Sequence, residues 1–267
     1  TVLNNTMMQG TAAISDDEES YQIEKSLRFN APDTPSMKMV TSGQGNRRTF
    51  TIAWWQKITF IDEVIDIWTG GATTGHGVII RGNYDTSGSA PEEGKIFIGE
   101  YNSSWDWYFY TDRAIRDPGA WQHFCVAFDS TQATNTERVK LYINGKQETD
   151  ITVNSWPSQN HQFAWNTSGK PIAIGGLWND AVAVEFDGYI ADAYHIDGLA
   201  LSPAAFGSFD STGVWNPKAF ALPAPNANTT WSGVLTTSGE AFHGSYPATN
   251  AFDGSLVTNA GHANNST

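Results

Sequence analysis

Apolar and polar positions alternate along this chain with a period of two. Phe124, Val126 and Phe128 fall on one face of a strand, and Val139, Leu141 and Ile143 on one face of the next. Asn144-Gly145 follows at once. Both residue types tolerate positive φ, so the pair predicts a tight chain reversal. Earlier, Phe50, Ile52 and Trp54 share one face of a segment whose other face carries Thr51, Ala53 and Trp55. The same alternation predicts strands at 26–30, 37–41, 49–57, 63–68, 76–81, 95–101, 105–111, 121–128, 138–144, 171–175 and 184–196. Clusters of Gly, Pro, Asn, Asp and Ser separate them, the spacing of an all-β antiparallel sandwich. Leu201–Phe209 is the exception. Its Ser202-Pro203 start predicts one short helix with Pro in the first turn.

The pattern also divides the chain. Residues 1–20 show no apolar periodicity and carry the acidic cluster Asp16, Asp17, Glu18 and Glu19, which predicts an extended N-terminal arm. Residues 21–220 hold the strand pattern. Residues 221–230, with Leu222-Pro223-Ala224-Pro225, read as a stiff linker. From 231 to 267 something new begins: Ser245-Tyr246-Pro247-Ala248-Thr249-Asn250-Ala251-Phe252-Asp253-Gly254 resembles the opening of a discoidin-type β-sandwich. Those residues are too few for such a fold, so the natural protein is expected to continue past Thr267. The absence of an initiator Met predicts a processed chain or a fragment.

Composition changes this picture in three ways. Apolar residues make up 40% of the chain, enough for a real core. The net charge of −13 repels phosphate backbones and argues against a nucleic-acid partner. A single cysteine, Cys125, excludes an internal disulfide and reads as a buried thiol. No run of about 18 apolar residues predicts a membrane-crossing helix, and no segment reads as a signal peptide.

Three blocks carry a family resemblance. The central block is Trp121-Gln122-His123-Phe124 followed by Leu141-Tyr142-Ile143-Asn144-Gly145. A later one runs from Ile174-Gly175-Gly176 through Phe186-Asp187-Gly188-Tyr189-Ile190-Ala191-Asp192 and His195-Ile196-Asp197-Gly198 to Leu201-Ser202-Pro203. An early one joins Ser26-Leu27-Arg28-Phe29-Asn30 to Asn46-Arg47-Arg48-Thr49-Phe50-Thr51-Ile52. Together they resemble the laminin G-like, concanavalin A-like domains, in the variant found in structural proteins of marine tailed bacteriophages. The resemblance implies a jelly-roll sandwich and a virion location. It also implies other virion proteins as partners, a homo-oligomer with a trimer favoured, and contact with host surface glycans. A fibre-type module is the leading reading. A head decoration protein, a glycan depolymerase and a secreted bacterial adhesin stay open beside it.

The candidate chemistry is sparse. Glycoside hydrolysis needs two carboxylates flanking one bond. The glucanase patterns Glu-x-Asp-x-Glu and Glu-x-Asp-x-x-Glu do not occur, and the nearest approach, Asp62-Glu63-Val64-Ile65-Asp66, reads as solvated edge charge. No catalytic residue is therefore assigned, and no cofactor beyond a calcium ion at the rim. Asp187 is the metal-ligand candidate, with Asp129, Asp180 and Asp192 also near strand ends. His76, His123, His161 and His195 lack metal-ligand spacing and read as structural. The strand around Trp105 is the main candidate for binding. Trp105, Trp107 and Phe109 are expected inward, leaving Tyr108 and Tyr110 outward for a glycan or a neighbouring subunit. Trp156, Trp165 and Trp178, in loop-like segments, rank second.

Overall fold

A computed structural model describes residues 21–59, 64–71, 77–82, 94–176 and 185–221. The chain divides into two units, Thr1–Leu222 and Pro223–Thr267. The acidic arm, most of the linker and the discoidin-like segment lie outside the described residues.

The described strands are β1 (Leu27–Phe29), β2 (Met37–Val40), β3 (Thr49–Ile58), β4 (Ile65–Gly70), β5 (Gly77–Gly82), β6 (Ile96–Tyr101), β7 (Trp105–Thr111) and β8 (Gln122–Asp129). They continue with β9 (Val139–Ile143), β10 (Lys146–Gln147), β11 (Ile151–Ser155), β12 (Pro171–Ile174), β13 (Gly188–Asp197), β14 (Gly207–Phe209) and β15 (Trp215–Pro217). One sheet has the order β1-β13-β3-β8-β9-β10, and the other β11-β7-β6-β5-β4-β12-β2. All pairings are antiparallel, as in a sandwich.

The register follows from the side chains. Phe50 pairs with Phe128 and Trp54 with Phe124 across β3 and β8. Their rings stack at 4.3 Å and 5.2 Å. A one-residue slip would turn every one of these rings out of the core. Ile65, Ile67, Val78, Ile80, Ile98, Trp107 and Phe109 complete the core from the facing sheet. Each such aliphatic or Phe side chain contributes about 1.5–3 kcal/mol by leaving water. Cys125 is fully buried, and burial pushes its thiol well above the ordinary range.

The reversal at Asn144-Gly145 forms as expected. Both residues have positive φ, 48° and 76°, and join β9 to β10. Asn144 accepts the His123 amide on its side chain at 2.8 Å, and its own amide donates to the His123 carbonyl at 2.8 Å. The turn is thereby clamped to the start of β8.

The expected helix at Leu201–Phe209 is corrected. Only Pro203–Ala205 forms one 3₁₀ turn, and Gly207 then enters β14, paired with β15. Burial decides this. Phe206 packs with Ala53, Cys125, Tyr194 and Phe220 on the outer face of the first sheet, and a helix continued past it would lift the next residues off that face. The C-terminal segment thus adds a partial third layer. Trp215 fastens it. A Cβ at Gly145 would meet the Trp215 ring at 2.3 Å, and one at Gly207 at 2.5 Å. The indole sits in a slot that only two glycines leave open.

His123 lies under this layer, between Trp55 (5.2 Å), Trp215 (5.8 Å) and Phe206 (6.1 Å). Burial lowers its pKa from 6.5 to about 4. His195 is lowered for the same reason, beside Phe50 and Trp165. Two outcomes follow. Trp215→Ala is expected to cost about 3 kcal/mol, the low end for a tryptophan, because the indole is only partly buried. It should also speed amide exchange across β14 and β15 while the two main sheets persist, measured by denaturation and hydrogen exchange. Acidification is expected to destabilise the fold. The unfolded chain takes up a proton on His123 near pH 6.5 and the folded chain only near 4, so stability falls between those values, by up to roughly 3 kcal/mol. Thermal midpoints at pH 7.5 and pH 5 should differ less in His123→Leu than in the parent.

Candidate functional site

Among the described residues, the outer face of the β1–β10 sheet carries a surface site lined by aromatic side chains. Alternation on β3 sends Ala53, Trp55 and Lys57 outward, while Ile52, Trp54 and Ile58 face the core. On the neighbouring strand β8 His123 and Cys125 face the same way, as does Trp121 just before it. The C-terminal layer covers Ala53 and Cys125 and stops short of Trp121. Two hollows open there, and Trp55 and Trp121 line both.

The larger hollow has a volume of about 540 Å³ and is bounded by Trp215, Phe209 and the Asn144-Gly145 turn region. The smaller is about 400 Å³, between Ile23–Ser26 and Pro217. Trp121 is 38% exposed and Phe209 44%. Polar groups stand at the rim of the larger hollow: Asn144, Lys146, Arg113 and Glu148, the last two ion-paired. Beside Trp121 runs a ladder of cations and rings. Lys57 Nζ lies 5.7 Å from the Trp121 ring centre and 4.8 Å from that of Tyr189, with Arg28 on Tyr189 at 5.2 Å. The exposed Trp121 indole, framed by hydrogen-bonding groups, suits a flat, hydroxyl-rich ligand.

The residues expected from sequence are dispersed. Tyr108 and Tyr110 lie on the outer face of the other sheet, half-buried, opposite Trp107 and Phe109 in the core. Tyr108 rests over Gly99, where a Cβ would meet its own Cβ at 2.6 Å, and its ring lies 5.3 Å from that of Phe97. Lys95 stands over Tyr110 at 5.3 Å. Trp105 is corrected. It packs with Phe97, Tyr101 and Tyr108 and not with the core, because the pairing shifts between Glu100 and Tyr101 and sets Trp105 opposite Tyr101. Trp156 packs on Phe109 at 5.3 Å at the edge of the core, and Trp165 is fully buried. Trp178 lies outside the described residues.

The carboxylates are committed elsewhere. Asp187 holds Arg28 at 2.9 Å, the Ala31 amide at 3.2 Å and the Thr59 hydroxyl. Desolvation is the largest single influence and pushes its carboxyl up, but these hydrogen bonds and the guanidinium together hold it below the ordinary range. It ties the β1 end to the loop after β3, and the adjacent guanidinium does not fit a calcium ion there. Among the described residues no group of three or more His, Cys, Asp or Glu could hold a metal. Asp66, read from sequence as solvated edge charge, is fully buried in an ion pair with Arg81; burial raises its pKa against the pull of that arginine. Asp62 and Glu63, like His76 and Asp180, lie outside the described residues. Glu100 is buried and accepts from Trp107 Nε1 at 3.0 Å, the Ala164 amide at 2.7 Å and His161 Nε2 at 2.6 Å.

Sequence reading missed the groove. Its one local signal was the outward run Ala53, Trp55, Lys57, which ends in a tryptophan and a lysine where a buried face would end in an aliphatic residue.

No curated protein matches the chain in sequence. Among solved structures it is similar to domain 4 of AbnA, a GH43 extracellular arabinanase from Geobacillus stearothermophilus, in complex with arabinotriose. That likeness has 18% identity and a TM-score of 0.48 over 69% of this chain and 76% of that one. It is similar also to the heptameric SAP-like pentraxin of Limulus polyphemus, at 15% identity and a TM-score of 0.44, over 66% and 73% of the two chains. A third is the CBM40 of the Ruminococcus gnavus IT-sialidase bound to α2,3 sialyllactose, at 14% identity and a TM-score of 0.40, over 60% and 89%. No ligand or activity passes from these proteins to this chain. The family model of the concanavalin A-like lectin/glucanases superfamily matches residues 33–205, well over half of the chain. With the antiparallel sandwich and its three sequence blocks, that match makes this chain a member of the concanavalin A-like lectin/glucanases superfamily.

Proposed function

We propose that this chain is a non-enzymatic glycan-binding module, carried on the surface of a tailed-phage particle as part of a fibre-type protein. The observation that carries the binding reading is the groove floored by Trp55 and Trp121, with an exposed indole and a polar rim in a sandwich of the lectin/glucanase superfamily. A sugar ring stacks its C–H face on Trp121, and Asn144 and Lys146 reach its hydroxyls. The commitment of Asp66 to Arg81, of Asp187 to Arg28 and of Glu100 to three donors supports the absence of hydrolysis, which needs two carboxylates facing one bond. The virion setting rests on the resemblance of the three sequence blocks to marine phage structural proteins. Display in several copies, as in a trimer, would raise the avidity of weak single sites.

Trp121→Ala removes the exposed ring and leaves the buried Trp55 in place, so the variant should fold. Its affinity for any glycan retained on an array is expected to fall about tenfold. Loss in Tyr108→Ala/Tyr110→Ala with Trp121→Ala unaffected would move the contact to the opposite sheet. Antibody against the chain should label distal fibres of intact particles. Label spread over the head would make it a decoration protein, and absence of label would remove the virion setting.

A further inference from the structure

We infer that the ligand of this groove is an acidic saccharide, one that bears a carboxylate, held with its ring on Trp121 and its charge beside Lys57 and Lys146. The inference rests on the glycan reading above and names the class of sugar. It comes from where this acidic chain keeps its cations. The protein has 28 acidic against 15 basic residues. Around the larger hollow the ratio is reversed, with Arg113 and Lys146 set against Glu148 alone.

That one carboxylate is neutralised by Arg113. The two lysines are held differently. Lys146 Nζ stands 5.9 Å from the centre of the Phe209 ring, and Lys57 Nζ lies between the Trp121 and Tyr189 rings. Among the described residues neither ammonium has an ion-pair partner. Cation–π contact orients each ammonium without neutralising it, so its charge remains available to a ligand. Of the three rings that steady the lysines, Trp121 and Phe209 line the larger hollow and Tyr189 does not; Lys146 lines it too, and Lys57 reaches it only through its contact with the Trp121 ring. A saccharide stacked on the indole therefore brings a ring substituent within reach of an oriented, uncompensated cation. A hydroxyl there gains an ordinary hydrogen bond; a carboxylate gains a charge-assisted one. Glu24, exposed at the smaller hollow beside Lys25, places that end of the groove closer to neutral and assigns the carboxylate to the larger hollow.

The test uses the whole chain and matched ligands. Oligogalacturonate, oligomannuronate and a sialoside are each paired with the methyl ester of the same saccharide, and binding is measured by calorimetry at low and high salt. The expected result is that at least one acid binds ten-fold or more tighter than its ester, with the advantage shrinking as salt rises. Lys57→Gln and Lys146→Gln should each reduce the acid-over-ester ratio, whereas Lys170→Gln, before β12 on the other sheet, should not. Esters binding as well as their acids would overturn this inference and leave the glycan reading standing. Silence of every acid and ester, together with an array on which no neutral glycan binds, would overturn both.

Discussion

The central strands β3 and β8 are buried on both faces, and the rest of the molecule is arranged to satisfy that. Phe50, Ile52, Trp54, Phe124, Val126 and Phe128 fill the space between the sheets. Ala53 and Cys125 on the reverse would lie bare on a two-layer sandwich, and a sheet with one such stripe exposed invites association. Residues 199–220 fold back to cover it, with Phe206 as the inserted side chain and Leu201, Tyr194 and Phe220 around it. Thr51 serves the same layer by polar means. Its hydroxyl donates to the Leu199 carbonyl at 2.6 Å and accepts the Leu201 amide at 2.7 Å, which fixes where the cover begins.

The cover is short, and its shortness creates the groove. Trp215, slotted between Gly145 and Gly207, ends it at the β9–β10 turn. Beyond that point the outward positions of β3 and just before β8 change from small residues to Trp55, Lys57 and Trp121, and water reaches Lys57 and Trp121 while Trp55 stays buried beneath. The same clamp therefore holds the third layer in place and forms one wall of the larger hollow. The fold and the hollow are coupled here through one turn, since Asn144 both anchors that turn to His123 and lines the larger hollow.

Charge is distributed with the same economy. The ion pair of Arg28 with Asp187 and the buried pair of Arg81 with Asp66 hold strands and loops in register, and Glu100 gathers donors from β7 and from the loop before β12. These carboxylates are saturated by neighbours. Lys57 and Lys146 are steadied by rings, which leaves their charge for another partner.

The sequence by itself determined the sandwich. Period-two alternation states which residues face the core, and cross-strand pairs such as Phe50 with Phe128 give the register, because a strand has only two faces. Asn144-Gly145 was equally legible, since positive φ at two successive positions is a local property of those residue types. Tyr108 and Tyr110 were placed opposite Trp107 and Phe109 by alternation alone, but Trp105 was not. The register shift beside Glu100 is a property of the strand pair, and no single strand records it. Tertiary structure alone decided that Leu201–Phe209 stops after one turn, that Asp66 is buried, and that Trp55, Trp121, Phe209 and Trp215 meet. Those four come from three segments far apart in the chain, with Phe209 and Trp215 paired on one hairpin. What brings them together is the burial of Phe206 and the space left by two glycines, contacts that exist only after the chain has folded back on itself.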